Sequence, residues 1–289
     1  MEAINRQTWK QRMASYKRTP LSFLLLVLVT ASALFTVCIL AFLLIYILVK
    51  GIPYLTPSLF AWEYNSENVS LMPALINTIL MTALSLVIAV PLGIFAAIYL
   101  VEYARRGNKI VEIVRITAET LTGIPSIVYG LFGFLLFGVA LKWGYSMLGG
   151  ALTLAIMILP TIIGVVEPAL RAVPTSYYEG ALALGATHER GVYTAVVPAA
   201  RSGILAGVVL GVGRAMGETM AVIMVAGNQP RMPKGILQGV RTLTGNIVIE
   251  MGYATGLHRE ALIATGVVLF VFILLINLCF SALKRGKKA

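Results

Sequence analysis

Two charged side chains interrupt a long apolar stretch in the C-terminal half of the chain. Arg214 and Glu218 are four residues apart within residues 202–230, and no other charged residue occurs in that segment. On a continuous α-helix this spacing places both side chains on one face, where they can touch. A charge at mid-membrane costs about 2.5–3.5 kcal/mol to insert, so the pair is a candidate functional site facing protein or a watery cavity.

The arginine suits an anionic ligand. Its planar guanidinium can hold an oxyanion bidentately and stays protonated at any working pH. The alternative is an intrahelical ion pair that only neutralises itself. Gly213 and Gly217 form a G-x-x-x-G pattern, which predicts close approach of another helix. We therefore expect the Arg and the Glu to point towards a pathway at a helix seam.

The elements that position these residues are membrane helices. With 58% apolar residues, 12% charged residues and a mean hydropathy of +0.88, most of the chain has lipid as its solvent. About 20 apolar residues cross a bilayer, and six segments meet this requirement. They are residues 21–49, 71–101, 120–141, 143–166, 202–230 and 261–283. Pro91, Pro125 and Pro160 lie inside three of them, where each permits a kink.

The basic residues indicate topology and not a nucleic-acid surface. Most of the 23 Lys and Arg residues fall before the first span or after the second, fourth and sixth, which predicts that both termini are cytoplasmic. Residues 1–20 are expected to be a cytoplasmic segment, 21–283 the six-helix domain and 284–289 a basic tail. Neither the two cysteines, in apolar runs, nor the two distant histidines predict a metal site.

The inner segment of residues 167–201, which we call the coupling loop, contains specific turn signals. Ser176 and Glu179 form an S-x-x-E capping box, which predicts a short helix beginning just after Ser176. Gly185 is expected to end that helix, and Thr187 to cap a second one. The product is a docking knob at the cytoplasmic surface; the alternative is an amphipathic hairpin resting on the membrane.

The coupling loop resembles the EAA loop of ABC importer permeases. The similarity lies in Glu179-Gly180-Ala181, in Gly185 six positions after the Glu, and in Pro198 thirteen after that Gly. The resemblance implies that these residues dock into a groove on a separate ATPase subunit. The chain itself has no phosphate-binding loop and no Asp, so we expect no cofactor here, no enzymatic activity, and ATP and Mg used by the partner.

Two further stretches, residues 213–219 and 123–130, resemble the phosphate-specific (Pst) permeases, and the likeness extends over nearly the whole chain. The short length favours the PstA branch, whereas Met220-Ala221-Val222 is more like PstC. The resemblance implies an all-α membrane protein with the type I ABC importer permease fold. It also implies a second permease subunit, two copies of the ATPase, and a periplasmic or lipid-anchored phosphate-binding protein.

Under this resemblance Arg214 would contact phosphate or gate its passage by alternating access. Glu218 would hold the Arg or discriminate protonation state, and Thr219 and Ser126 would line the path. The protein would lie in the inner membrane of a bacterium or archaeon. The outer loop 227–260 carries basic residues that would dock the binding protein or attract its cargo: Arg231, Lys234, Arg241 and Arg259.

Three alternatives stay open at this point. A permease for another oxyanion, sulfate or molybdate, would use the same chemistry at Arg214. An anion channel would also place an arginine in its pore, but it would not need a docking loop. An intramembrane enzyme is disfavoured, since no Ser-His or paired-carboxylate constellation occurs at helical spacing.

Overall fold

A computed structural model describes residues 20–105 and 107–285, and every regular element in those ranges is helical. The all-α fold class is therefore confirmed. The predicted cytoplasmic segment 1–20 lies outside the described residues except for its last residue. Residues 286–289 of the predicted basic tail also lie outside the described residues.

The chain divides into two compact units, residues 1–50 and 51–289. In the first unit the described residues form one apolar helix, α1 (Pro20–Gly51), which coincides with the first predicted span. At about 1.5 Å per residue, α1 is longer than the roughly 30 Å hydrocarbon core of a bilayer.

The second unit begins with two 3₁₀ turns, Ile52–Tyr54 and Pro57–Phe60. Its first half then contains α2 (Met72–Ile98), which continues as a π-helical turn (Tyr99–Tyr103), α3 (Lys109–Thr122), α4 (Ser126–Gly133), which continues as a π-helix (Phe134–Ala140), and α5 (Met147–Arg171). Its second half contains α6 (Thr175–Ala183), α7 (His188–Gly191), a π-helical turn (Val192–Val196), α8 (Val197–Ala199), α9 (Arg201–Gly217), α10 (Met220–Ala226), α11 (Leu243–Met251) and α12 (Gly256–Arg285).

Within the described residues, four stretches are long and apolar enough to cross a membrane: Leu21–Tyr54, Met72–Tyr103, Met147–Arg171 and Gly256–Phe280. The number rises to six if each of two bent helix pairs is one span. The pairs are Val111–Thr122 with Ser126–Ala140, bent by 104°, and His188–Ala199 with Arg201–Gly217, bent by 68°. The chain is thus a multi-pass membrane protein.

The third predicted span, residues 120–141, is not one continuous helix. Residues 120–122 belong to α3, and the chain turns by 104° before α4 begins at Ser126. Pro125 is the N-cap of α4, and a proline disfavours helical backbone at the residue before it. The Tyr129 hydroxyl donates to the Leu121 carbonyl across the bend (2.8 Å). Hydropathy alone could not separate the end of α3 from the start of α4.

The core of the second unit is built around one face of α5. Five apolar residues at spacings of three or four are at most 1% exposed: Ala151, Leu154, Ile158, Ile162 and Val166. This periodicity puts them on one stripe of the helix, against which α2 and α9 pack. The helix continues through Pro160 and Pro168 to Arg171 without ending.

Close packing between α9 and α5 uses glycines other than the predicted ones. Three glycines at four-residue spacing on α9 face α5: Gly203, Gly207 and Gly211. A Cβ at Gly203 would lie 2.2 Å from the Ala169 Cβ, whereas Cβ atoms at Gly213 and Gly217 would meet nothing within 4 Å. Among the described residues no helix packs on Gly213 and Gly217, which lie on another face of α9, so close packing at these two glycines stays a prediction.

Candidate functional site

Arg214 lies in the last turn of α9, where its Nη1 donates a hydrogen bond to the Thr161 hydroxyl of α5 (3.0 Å). Both residues line a cavity of about 670 Å³, whose other walls are mostly apolar residues of α9 together with Asn277 and Phe280 of α12. We call the packing of α9 and α10 against α4, α5 and α11 the seam. Among the described residues, the polar side chains that line this cavity are those of Arg214, Thr161 and Asn277.

Glu218 does not share a helix face with Arg214. The helix α9 ends at Gly217, and Glu218 has extended backbone (φ −70°, ψ 133°). Its Oε1 accepts from the backbone N–H of Ala221 (3.2 Å), and its carbonyl oxygen accepts from the Thr244 hydroxyl (2.9 Å). The predicted Arg–Glu contact is wrong, and the ion pairs between described residues do not include it.

The carboxylate of Glu218 instead accepts a hydrogen bond from a backbone N–H at the beginning of α10. The first N–H groups of a helix have no intrahelical partner and carry partial positive charge, which favours an acidic side chain there. Glu218 lines a narrow crevice with four threonines, Thr78, Thr82, Thr242 and Thr244. Arg214 and Glu218 therefore line two different spaces on the two sides of a helix break.

The two hydroxyl residues predicted for the path occupy different places. Thr219 is the N-cap residue of α10, and its hydroxyl donates to the Gly217 carbonyl (3.3 Å). Ser126 is the first residue of α4, directly after the 104° bend. Neither residue lines the Arg214 cavity. Thr161 and Asn277 line that cavity. Asn277 carries the one amide side chain in the last apolar span, residues 261–283, and this was the sequence signal that would have pointed to it.

A cluster of ion pairs around a buried glutamate also went unpredicted. Glu167, 7% exposed, accepts from Arg115 of α3 (2.8 Å) and from Arg171 (3.1 Å). Because α5 extends to Arg171, Glu167 lies inside a helix and not in the loop after it. The cluster ties α3 to α5. The i, i+4 spacing of Glu167 and Arg171 was the available signal.

The first helix of the coupling loop begins earlier than the capping box predicts. The helix α6 begins at Thr175, its N-cap is Pro174, and no side chain caps it. The predicted box of Ser176 and Glu179 is therefore wrong. Proline fixes φ near the helical value, here −58°, and the Tyr177 N–H donates to the Pro174 carbonyl (3.1 Å) to close the first turn.

The turn between the two short helices is as predicted. Gly185 has a φ of +83°, and its N–H donates to the Leu182 carbonyl while the next N–H donates to the Ala181 carbonyl, a Schellman motif. The Thr187 hydroxyl then accepts from the Arg190 N–H and caps α7. These two turn predictions are confirmed.

The face of α6 that carries the predicted docking residues is open. No residue of α6 is buried, Glu179 and Gly180 are exposed, and Ala181 is half-buried. Large apolar side chains are exposed beside them, with Leu184 at 91%. Pro198, the other residue of the motif, is exposed in α8.

In the segment of residues 227–260, Arg241 has a structural role. It is 7% exposed, and its Nη1 lies 2.8 Å from Glu250 Oε1 and 3.1 Å from Asn246 Oδ1. Its carbonyl accepts from the Asn77 side chain of α2. Arg241 is therefore not free to dock a protein, and the expectation that it belongs to a basic docking surface is wrong.

Comparison with known sequences identifies the family. Residues 89–288 match the family described as binding-protein-dependent transport system inner membrane component. The chain belongs to this family. Its members are the permease subunits of ABC transporters, which are not catalytic themselves and act with an ATPase and a binding protein. The predicted recognition and fold are confirmed.

Named relatives place this permease near phosphate transporters. It is 35% identical to the probable ABC transporter permease protein YqgH of Bacillus subtilis (strain 168), over 86% of this chain and 88% of that one. It is 32% identical to the phosphate transport system permease protein PstC of Mesorhizobium japonicum, over 78% and 76% of the two chains. The preference for the PstA branch stays a prediction.

Solved structures agree with the fold. A bacterial ABC transporter involved in import of the acidic polysaccharide alginate matches 96% of this chain and 100% of its own, with a TM-score of 0.69 and 15% identity. The MetNI methionine ABC transporter matches 75% and 93%, with a TM-score of 0.56 and 21% identity. Both are ABC importers, and at these identities they support the fold alone.

Proposed function

We propose that this permease forms half of the transmembrane pathway of an ATP-driven importer of inorganic phosphate. The observation that carries the proposal is the setting of Arg214. Its guanidinium lines a cavity of about 670 Å³ and bonds, among the described residues, only to the neutral hydroxyl of Thr161. Relatives named as phosphate transport permeases support the choice of phosphate over other oxyanions.

The charge of Arg214 favours an anionic ligand. A guanidinium has five N–H donors in a planar fork, and Thr161 accepts from one of them. No carboxylate of the described chain lies in ion-pair range, so the positive charge of Arg214 is not neutralised by its neighbours. A tetrahedral oxyanion can accept from two guanidinium N–H groups at once and supply that neutralising charge.

The break between α9 and α10 is the hinge we propose for alternating access. Glu218 and Thr219 leave helical backbone there, and hinges are commonly a few such residues at the ends of elements. Rotation at this point would move Arg214 relative to Thr161. The anion would thereby be offered to one side of the membrane and then the other.

Energy would come from outside the chain. The exposed face of α6 would insert into a groove on an ATPase subunit that binds ATP and Mg, and two ATPase copies would serve this permease and a second one. A periplasmic or lipid-anchored protein would deliver phosphate from the other side. The distribution of Lys and Arg supports a bacterial or archaeal inner membrane with both termini in the cytoplasm.

The test is ATP-dependent uptake of radiolabelled phosphate into proteoliposomes that contain the permease with its partners. Arg214→Gln should lower uptake about tenfold or more while the complex stays assembled and ATP is still hydrolysed, because hydrogen bonds to charged groups contribute about 1.5–3 kcal/mol. The matched control is Arg105→Gln, which makes the same change at an exposed arginine outside both the cavity and the coupling loop.

The outcomes separate the remaining alternatives. Unchanged uptake in Arg214→Gln would make the arginine structural and defeat the proposal. Suppression of uptake by excess sulfate or molybdate as strong as by phosphate would assign a broader oxyanion permease. Anion conductance without ATP would favour a channel. Glu179→Ala should weaken ATPase binding, and undiminished binding would remove Glu179 from the docking face.

A further inference from the structure

Three aromatic rings meet where α2 ends beneath the coupling loop. Tyr103 is the last residue of the π-helical turn that extends α2, and its ring contacts the His188 ring edge to face, with centroids 4.9 Å apart. The Tyr178 ring of α6 meets the same imidazole from another side, at 5.6 Å and 83°. His188 therefore lies between the docking helix and a membrane-spanning helix.

A hydrogen bond fixes the orientation of this cluster. The Tyr178 hydroxyl and His188 Nδ1 are 2.6 Å apart, across ten residues of the loop. The Tyr178 ring also rests on Gly191, where an added Cβ would lie 3.2 Å from a ring carbon. Tyr178 is thus held on two sides by α7, through a bond and through close packing.

The cluster links α6 to the helices behind it through side chains. The helix α6 has no buried residue, and its exposed face carries Glu179 and Gly180. Tyr178 is half-buried and packs against the hydrophobic core. A displacement of α6 would therefore reach α2 through the Tyr178–His188–Tyr103 contacts, which are stiff because aromatic rings have few rotatable bonds.

We propose that His188 is a positioning residue that transmits movement of the docking helix α6 to α2. The inference rests on the proposed function, in which an ATPase moves α6. It assigns the transmission to the bond between Tyr178 and His188 Nδ1 and to the contact between the His188 and Tyr103 rings. Loosening either should allow ATP to be hydrolysed without a matching movement of the membrane helices.

The experiment measures phosphate uptake and ATP hydrolysis in the same proteoliposomes and reports their ratio. Tyr178→Phe removes one hydroxyl and keeps every ring, and the ratio should fall about threefold to tenfold, the range of one ordinary hydrogen bond. His188→Asn keeps a polar atom near the Nδ1 position and should retain more coupling than His188→Leu. The matched control, Tyr253→Phe, removes a hydroxyl from a tyrosine that is 83% exposed and lies outside the coupling loop.

Uptake and hydrolysis that fall together would indicate only a damaged loop and overturn the proposal. An unchanged ratio in Tyr178→Phe would overturn it as well. If the wild type moves no phosphate, the proposed function fails, and hydrogen exchange then tests the cluster by itself. Amides of α6 should exchange faster in Tyr178→Phe than in Tyr253→Phe, and equal rates would refute the role of His188.

Discussion

In the coupling loop, backbone groups at the ends of the short helices form hydrogen bonds with residues only a few positions away in the sequence. The Gly185 N–H donates to the carbonyl three residues before it, and the Thr187 hydroxyl accepts from the N–H three residues after it. At the seam the partners are distant in sequence. Arg214 bonds to Thr161, 53 residues away, and the Glu218 carbonyl accepts from Thr244, 26 residues away.

The difference shows how each region can move. A loop whose helix ends are satisfied locally keeps its shape when it is displaced, so it can act as a rigid knob. A seam whose polar groups bond across helices must exchange partners when those helices move. Each exchange involves hydrogen bonds with a net contribution of about 1 kcal/mol, so two arrangements of the seam can lie close in free energy.

The largest effect should come from overpacking the seam. An added Cβ at Gly130 of α4 would lie 2.9 Å from the backbone Cα of Ala221 in α10, an atom that cannot rotate away. Gly130→Val should therefore destabilise the permease by about 1–3 kcal/mol or more. Thermal unfolding in detergent measures the loss.

The matched control is Gly164→Val in α5. It makes the same change inside a helix, at a position where a Cβ would meet nothing within 4 Å. Equal unfolding temperatures for the two variants would contradict the close approach of α4 and α10, and with it the description of the seam as tightly packed.

An intermediate effect is expected at the turn of the coupling loop. Gly185 has a φ of +83°, and a side chain in left-handed backbone costs about 1–2 kcal/mol. Gly185→Val should weaken ATPase binding several-fold and leave the unfolding temperature almost unchanged, because α6, the helix that this turn ends, has no buried residue. Gly185→Asn should recover most of the binding, since Asn tolerates this backbone.

A pull-down of the ATPase by the solubilised permease measures this effect. A large drop in unfolding temperature for Gly185→Val would show that the loop is not independent of the membrane helices. The contrast between the loop and the seam would then be wrong.

The same contrast explains what the sequence could reveal. Gly185 and Thr187 were predictable because the cause of each turn lies within a few residues. Apolar segments long enough to cross a membrane were predictable because insertion depends on summed hydropathy. The end of α9 at Gly217 was not, because the Thr244 hydroxyl that holds the extended Glu218 is supplied by the fold. Thr161 and Asn277 were missed for the same reason, since a cavity wall is a property of packed helices.

The smallest effects form a pair that compares the two regions directly. Thr244→Val and Thr187→Val each remove one hydroxyl at nearly constant volume, and each should cost about 1 kcal/mol. Thr244 is 7% exposed and bonds to Glu218, so its loss should lower the global free energy of unfolding. Thr187 caps α7, so its loss should speed amide exchange in the loop and leave global unfolding unchanged. If both variants lowered global stability equally, loop and seam would unfold as one unit, and the contrast between the two regions would be wrong.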